Sequence, residues 1–226
     1  MPTHPTQFQG FPRETFSFLS DLSAHNQKAW FDANKDRFHR AVEQPVQHFV
    51  STMCARFIHA FRDIQHLESK VFRIHRDIRF SKDKTPYKTH IGIRFSEDAS
   101  KNCAAPFFYV QLEAERLLFV TGQKEFEGDI LDRYRAAVMD ARTGRALAAL
   151  ANKMRRSGTA LHGEQLQKTP RGYPADHDRA DLLRFKGLYM ESRLPVTQQV
   201  HSPAVVQICL DQLARGKPLY DWLKSL

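Results

Sequence analysis

FFYVQLEAERLLFV, residues 107–120, reads as two strands and the turn between them. Phe108, Val110 and Leu112 alternate onto one face of the first strand, Leu117–Val120 form the second, and the polar run Glu113–Arg116 joins them. A tight hairpin makes its two strands antiparallel. Upstream, Val71–Ile74 and Ile91–Phe95 read as short strands on either side of a charged loop around Lys82–Lys88. Further upstream the apolar spacing is helical: Phe16, Leu19 and Leu22 behind Pro12, then Trp30, Phe31, Asn34, Phe38 and Val42 behind Asn26 as N-cap. Pro45 is expected to kink or break that helix before the stripe resumes through Phe49, Val50, Met53, Phe57 and Phe61. Downstream, Asp129 opens one helix and Ala146–Arg156 form another that stops at Gly158. Residues 159–178 read as irregular, Leu188–Met190 as a strand, Ser202-Pro203 as a helix start and Pro218 as the start of a last one. Helices flanking a mainly antiparallel central sheet predict an α+β fold, with residues 1–226 as one domain and the N-terminal helices on one face of the sheet.

Hydrophobic residues make up 42% of the 226, 17 of them phenylalanine, which is enough for a packed core and excludes a disordered chain. The net charge of +9 favours anionic partners: nucleic acid, charged small molecules or acidic proteins. Cys54, Cys103 and Cys209 are few and far apart, which argues for a reducing compartment rather than a disulfide framework. The opening MPTHPTQFQGF lacks the pattern of a signal peptide, and no run of eighteen apolar residues occurs. A cytoplasmic protein with no membrane segment is expected.

The densest charge lies in KVFRIHRDIRFSKDKTPYKTHIG, residues 70–92. Between Lys70 and Lys88, seven cations (Lys70, Arg73, Arg76, Arg79, Lys82, Lys84, Lys88) meet two carboxylates, Asp77 and Asp83. Phe72, Ile74, Ile78 and Phe80 interleave them, so the backbone is anchored while the cations project. Guanidinium groups suit bidentate phosphate or carboxylate, and a basic loop at a sheet edge suits an anion. The same residues equally suit an internal network in which the aspartates pin the arginines. If the cluster faces solvent, one of its three arginines is expected to be paired internally, with Asp77 or the Asp176–Asp181 loop as partner for Arg76.

Arg73-Ile74-His75-Arg76-Asp77-Ile78-Arg79-Phe80, with Asp83-Lys84 and Tyr87 after it, resembles the signature R-x-x-R-D-x-R-F…D-K-x-x-Y of a bacterial family of unknown function. The resemblance extends to Gly10-Phe11-Pro12, Trp30-Phe31 with Asn34-Lys35, Thr85–Gly92, Pro170–Tyr173, Asp176-His177 and Pro218-Leu219 with Trp222-Leu223. It implies membership over nearly the whole chain and no particular activity. Similar proteins carry a Gly-rich turn after the hairpin, where this chain has only Gly122 before Gln123-Lys124-Glu125.

A second segment, LQKTPRGYPADHDRADLLRFKG, residues 166–187, sets Lys168, Arg171, Asp176 and His177 on a loop stiffened by Pro170 and Pro174. A histidine there, or His90, with Asp176 alongside, is a candidate acid/base. The plainer reading makes Asp176 a helix cap and His177 a packing residue. The histidines have no metal-ligand spacing, and no nucleotide-binding or nucleophile motif occurs, so neither metal nor cofactor is expected. Three readings follow: a module binding a phosphorylated small molecule or nucleic acid through Arg73, Arg76, Arg79, Lys82, Lys84, Tyr87, Lys88, Lys168 and Arg171; an enzyme acting on a phosphorylated or carboxylated substrate; and a structural or partner-binding protein whose arginines are internally paired.

Overall fold

A computed structural model of the protein describes residues 8–97 and 105–226; Cys103 lies outside them. The strands are β1 (Glu68–Val71), β2 (His90–Ser96), β3 (Phe107–Glu113), β4 (Arg116–Gln123), β5 (Leu161–His162) and β6 (Leu188–Pro195). They form one antiparallel sheet in the order β1-β2-β3-β4-β6-β5, and helices flank it, so the fold is α+β. No helix among the described residues is long and apolar enough to cross a membrane. The described chain gathers into two compact units, one of residues 8–97, 109–119 and 193–211, the other of residues 105–108, 120–192 and 212–226.

In the first unit α1 (Arg13–Ala24) buries Phe16, Phe18, Leu19 and Leu22, one apolar face at helical spacing. The single helix expected across Trp30–Val42 is instead a series of short pieces. α2 (Lys28–Ala33) and α3 (Lys35–Phe38) are separated at Asn34, whose side-chain amide turns back to the Trp30 carbonyl at 2.9 Å. A π-helical turn, His39–Glu43, then leads into α4 (Gln44–Ala60). Pro45 therefore does not break the chain's helical course; it sits in the first turn of α4, and the wider π turn precedes it. The amide that would serve the Ala41 carbonyl in an α-helix is the one Pro45 lacks. The buried hydroxyl of Thr15 on α1 donates to that carbonyl instead, at 2.5 Å. Phe57 of α4 stacks on Phe95 of β2, ring centres 5.9 Å apart, which fixes the helices to this face of the strands.

β1 pairs with β2 from Glu68 opposite Ser96 to Val71 opposite Ile93. The strand lies earlier than expected, ending at Val71 where the reading had it run to Ile74. Beyond Phe72, whose N–H donates to the Gly92 carbonyl, the two arms fall out of step. The next pairing is His75 with Tyr87, three residues on along one arm and five along the other, so no ladder can continue.

The second unit packs α5 (Asp129–Met139), α6 (Thr143–Arg156) and the short α7 (Ala180–Leu183) with β5 and β6 around Tyr134, Val138, Leu147, Leu183 and Leu188. Tyr134 stacks on Phe126 and donates its hydroxyl to the Leu182 carbonyl at 2.7 Å. β5 falls inside the stretch expected to be irregular; at two residues, Leu161 opposite Met190 and His162 opposite Tyr189, it is too short to show an alternation.

α8 (Ala204–Lys224) runs through Pro218, which was expected to open a separate helix. A proline there removes one helical hydrogen bond, yet Leu219, Tyr220 and Leu223 just beyond it are all buried. Packing of that turn outweighs the lost bond.

The Thr15 contact yields a test. Thr15→Val keeps the shape and removes the donor, which strands a buried carbonyl and should lower stability by about 1–3 kcal/mol in a denaturant melt. Ser17→Ala, on the exposed side of the same helix, should leave the midpoint unchanged; equal effects would show that the hydroxyl is not the cause.

Candidate functional site

The basic segment folds into a closed loop whose base is clamped. Asn26, expected to cap a helix, instead reaches the main chain of Tyr87: its amide nitrogen donates to the Tyr87 carbonyl at 2.9 Å, and its oxygen accepts the Tyr87 N–H at 3.0 Å. The cap position before α2 falls to Gln27, which makes no side-chain bond. Tyr87 is buried, stacked on Phe31 at 4.2 Å and against His75 at 5.1 Å. Two backbone bonds, Lys88 N–H to Ile74 and Arg76 N–H to Pro86, close the neck. Tyr87 is thus an anchor of the loop.

Within the loop most charges are spent on one another. Arg76, a quarter exposed, pairs with Asp83 and also donates to the Thr85 hydroxyl. Arg79 grips Asp77 with two parallel bonds of 2.9 and 2.7 Å. The Lys84 ammonium donates to the Ile78 carbonyl at 3.0 Å. Two of the three arginines are therefore paired internally where one was expected, and the partner of Arg76 is Asp83, seven residues on, rather than Asp77 or the 176–181 loop. Lys82 stays exposed, as does Phe80 at 94%, with the Arg79 guanidinium 5.8 Å from its ring centre.

Arg73 differs from the other two. It is exposed and makes no hydrogen bond or ion pair among the described residues. Burial and then the Arg73 charge push the Lys88 ammonium below its usual range, and the same charge makes a minor contribution to holding the Asp77 carboxyl down. Lys70 and Lys88 flank the Phe72 ring, 5.3 and 5.5 Å from its centre.

Arg73 also borders a cleft of about 510 Å³ within the first unit. One wall is helical and carries Lys35, His39, Val42, Glu43 and Val46; the other is the segment from Val71 to His75. His39 and Glu43 meet at 2.7 Å across the π turn, and the Gln44 amide lies 3.2 Å from the other ring nitrogen. π turns occur often at functional sites. The helical wall was missed in the sequence. Its available signals were the His39/Glu43 spacing and Pro45 placed four residues after Ala41.

His90 lines a second, more polar cleft in the same unit with Ser20, Thr89, Glu113 and Arg116. Burial and then the nearby Lys88 lower its pKa, partly offset by Glu113. On the adjoining strand the Tyr109 hydroxyl donates to Gln111, which donates to Glu113. Gly92 makes this packing possible: a β-carbon there would stand 2.2 Å from the Tyr109 oxygen.

The second candidate segment belongs to the other unit. His177 accepts the Arg179 N–H at 3.0 Å, so its ring caps the turn entering α7. Asp176, expected as the cap, is exposed and makes no such bond. Lys168 and Arg171 are exposed. Buried Arg179, unremarked in the sequence, holds the Val138 and Met139 carbonyls at the end of α5.

A family described as "conserved hypothetical protein (DUF2461)" matches residues 14–222, and the chain belongs to that family. A search of curated proteins found no match.

The loop's ion pairs set a pH dependence. The Arg79 side chain and then its N–H hold the Asp77 carboxyl at about 2; the Thr85 N–H and then Arg76 hold Asp83 at about 2, against an ordinary 3.8. Both values are depressed, so the loop's order from these pairs is complete above 3.8, weakens below it and is lost as pH falls through about 2. Amide shifts of Arg79 and Thr85 followed from pH 5 downward should titrate near 2; midpoints near 3.8 would show that the pairs do not persist in solution.

Proposed function

We propose that this protein, as a member of that family, is a binding module for a small anionic ligand, with a phosphate or carboxylate held by Arg73 at the mouth of the first cleft. The observation that carries the reading is the contrast among the three arginines. Arg76 and Arg79 already hold carboxylates, and Arg73 holds none. The Arg73 guanidinium is exposed, has no carboxylate at ion-pair distance and feels Asp77 only at longer range, while it disfavours the charge of the neighbouring lysine; an anion relieves that repulsion. Phe38 and Phe72, both partly exposed in the same cleft, offer an apolar surface to the ligand's uncharged part.

A nucleic-acid partner, the wider form of this reading, has less support. The loop's own structure takes up Arg76, Arg79 and Lys84, which leaves fewer cations for a run of phosphates. Lys82, Lys88 and Lys70 remain to steer an anion toward Arg73.

The test is thermal stability with and without inorganic phosphate. At ten times Kd, phosphate should stabilise the wild type by about 1.4 kcal/mol, a rise of a few degrees that added salt diminishes. Arg73→Gln should remove the shift while leaving the ligand-free midpoint unchanged or slightly higher. Arg79→Gln should keep it. A shift that survives Arg73→Gln, or no shift in the wild type, overturns the reading.

A further inference from the structure

The wall of the cleft that carries Arg73 is also the open edge of the sheet. β1 is the terminal strand, with β2 on one side and, among the described residues, no strand on the other. The Phe72 N–H donates inward to Gly92, so strand alternation turns the N–H and C=O of Val71 outward. Past the strand, Ile74 accepts from Lys88 and Arg76 donates to Pro86, again inward. The main-chain groups of Arg73 and His75 between them make no hydrogen bond among the described residues. Val71, Arg73 and His75 all line the cleft.

An open edge facing a helical wall across a groove is the arrangement by which an extended peptide is recognised as an added strand. We propose that the cleft takes an extended peptide segment bearing carboxylates, which pairs its backbone with Val71, Arg73 and His75. Every second side chain of such a segment points to one face. Apolar side chains then meet the partly exposed Phe38 on the helical wall, and acidic ones reach Arg73. The inference rests on the reading of Arg73 as the anion-holding group and adds the backbone as the second point of recognition. Main-chain pairing supplies affinity with little dependence on sequence, and Arg73 supplies the preference for an acid.

The experiment uses the whole chain and a pool of hexapeptides in which valine, isoleucine or phenylalanine alternates with glutamate. The readout is amide hydrogen exchange at Val71, Arg73 and His75. The pool should slow exchange at these amides about tenfold, as expected when open amides become paired. Pools N-methylated at alternate residues, of either parity, should include one that does not protect. Arg73→Gln should lose protection by the acidic pool.

No protection by the peptides while phosphate still raises the melting temperature overturns the inference and leaves the anion site standing. Neither effect overturns both. Protection unchanged by N-methylation excludes strand pairing, and protection unchanged in Arg73→Gln excludes an acidic partner. Protection that appears with rising protein concentration alone assigns the edge to a second copy of this chain, which also overturns the proposal.

Discussion

Asn26 gives the Tyr87 main chain what a neighbouring strand would give it, one donor and one acceptor on a single planar amide. The loop between His75 and Tyr87 depends on that clamp. Its two arms have left the β1–β2 register, so no ladder holds them, and a single bridge made of two backbone bonds closes the neck. Phe31 stacked on Tyr87 makes the clamp part of the helical core. Charge pairing inside the loop is secondary to this. Exposed ion pairs are individually weak, and Asp77 with Arg79 lies in solvent. They organise a loop that the amide and the ring stack have already positioned.

Much of the fold was legible because burial writes a period into the chain. The hairpin was plain because Phe108, Val110 and Leu112 are buried on one face while Tyr109, Gln111 and Glu113 are not. α1, α5 and α6 likewise bury one stripe each. The failures occurred where a local rule met a non-local partner. Asn26 has the residue type of a cap, but its partner is 61 residues away. Pro45 and Pro218 are helix breakers by type, and both are absorbed, one by a π turn and the other by buried residues beyond it.

The candidate site was legible in part. Charge density pointed to residues 70–92, and Arg73 lies there. Which arginine is uncommitted could not be read, because all three stand at the same interval with aspartates nearby in sequence. Ring closure decides it: folding the loop brings Asp83 back to Arg76 and wraps Arg79 onto Asp77, and Arg73, outside the neck, has neither. The helical wall of the cleft carried only the His39/Glu43 spacing and Pro45 as signals, and neither points to a cleft. Its place opposite β1 is set by α4 packing against the strand, a tertiary fact with no local mark.

The hydroxyl of Thr15 and the ring of Pro45 are thirty positions apart, yet they act on one carbonyl, that of Ala41. Their effects on stability should therefore not add. With proline at 45 the hydroxyl is needed; with a residue that restores the amide, the helix can serve the carbonyl itself and the hydroxyl becomes one of two competing donors. In a pair of variants, loss of the polar group at the first position should cost less where the imino acid at the second has gone too. The π turn is then a record of that pairing, the local form a helix takes when one of its own donors has been replaced from another helix.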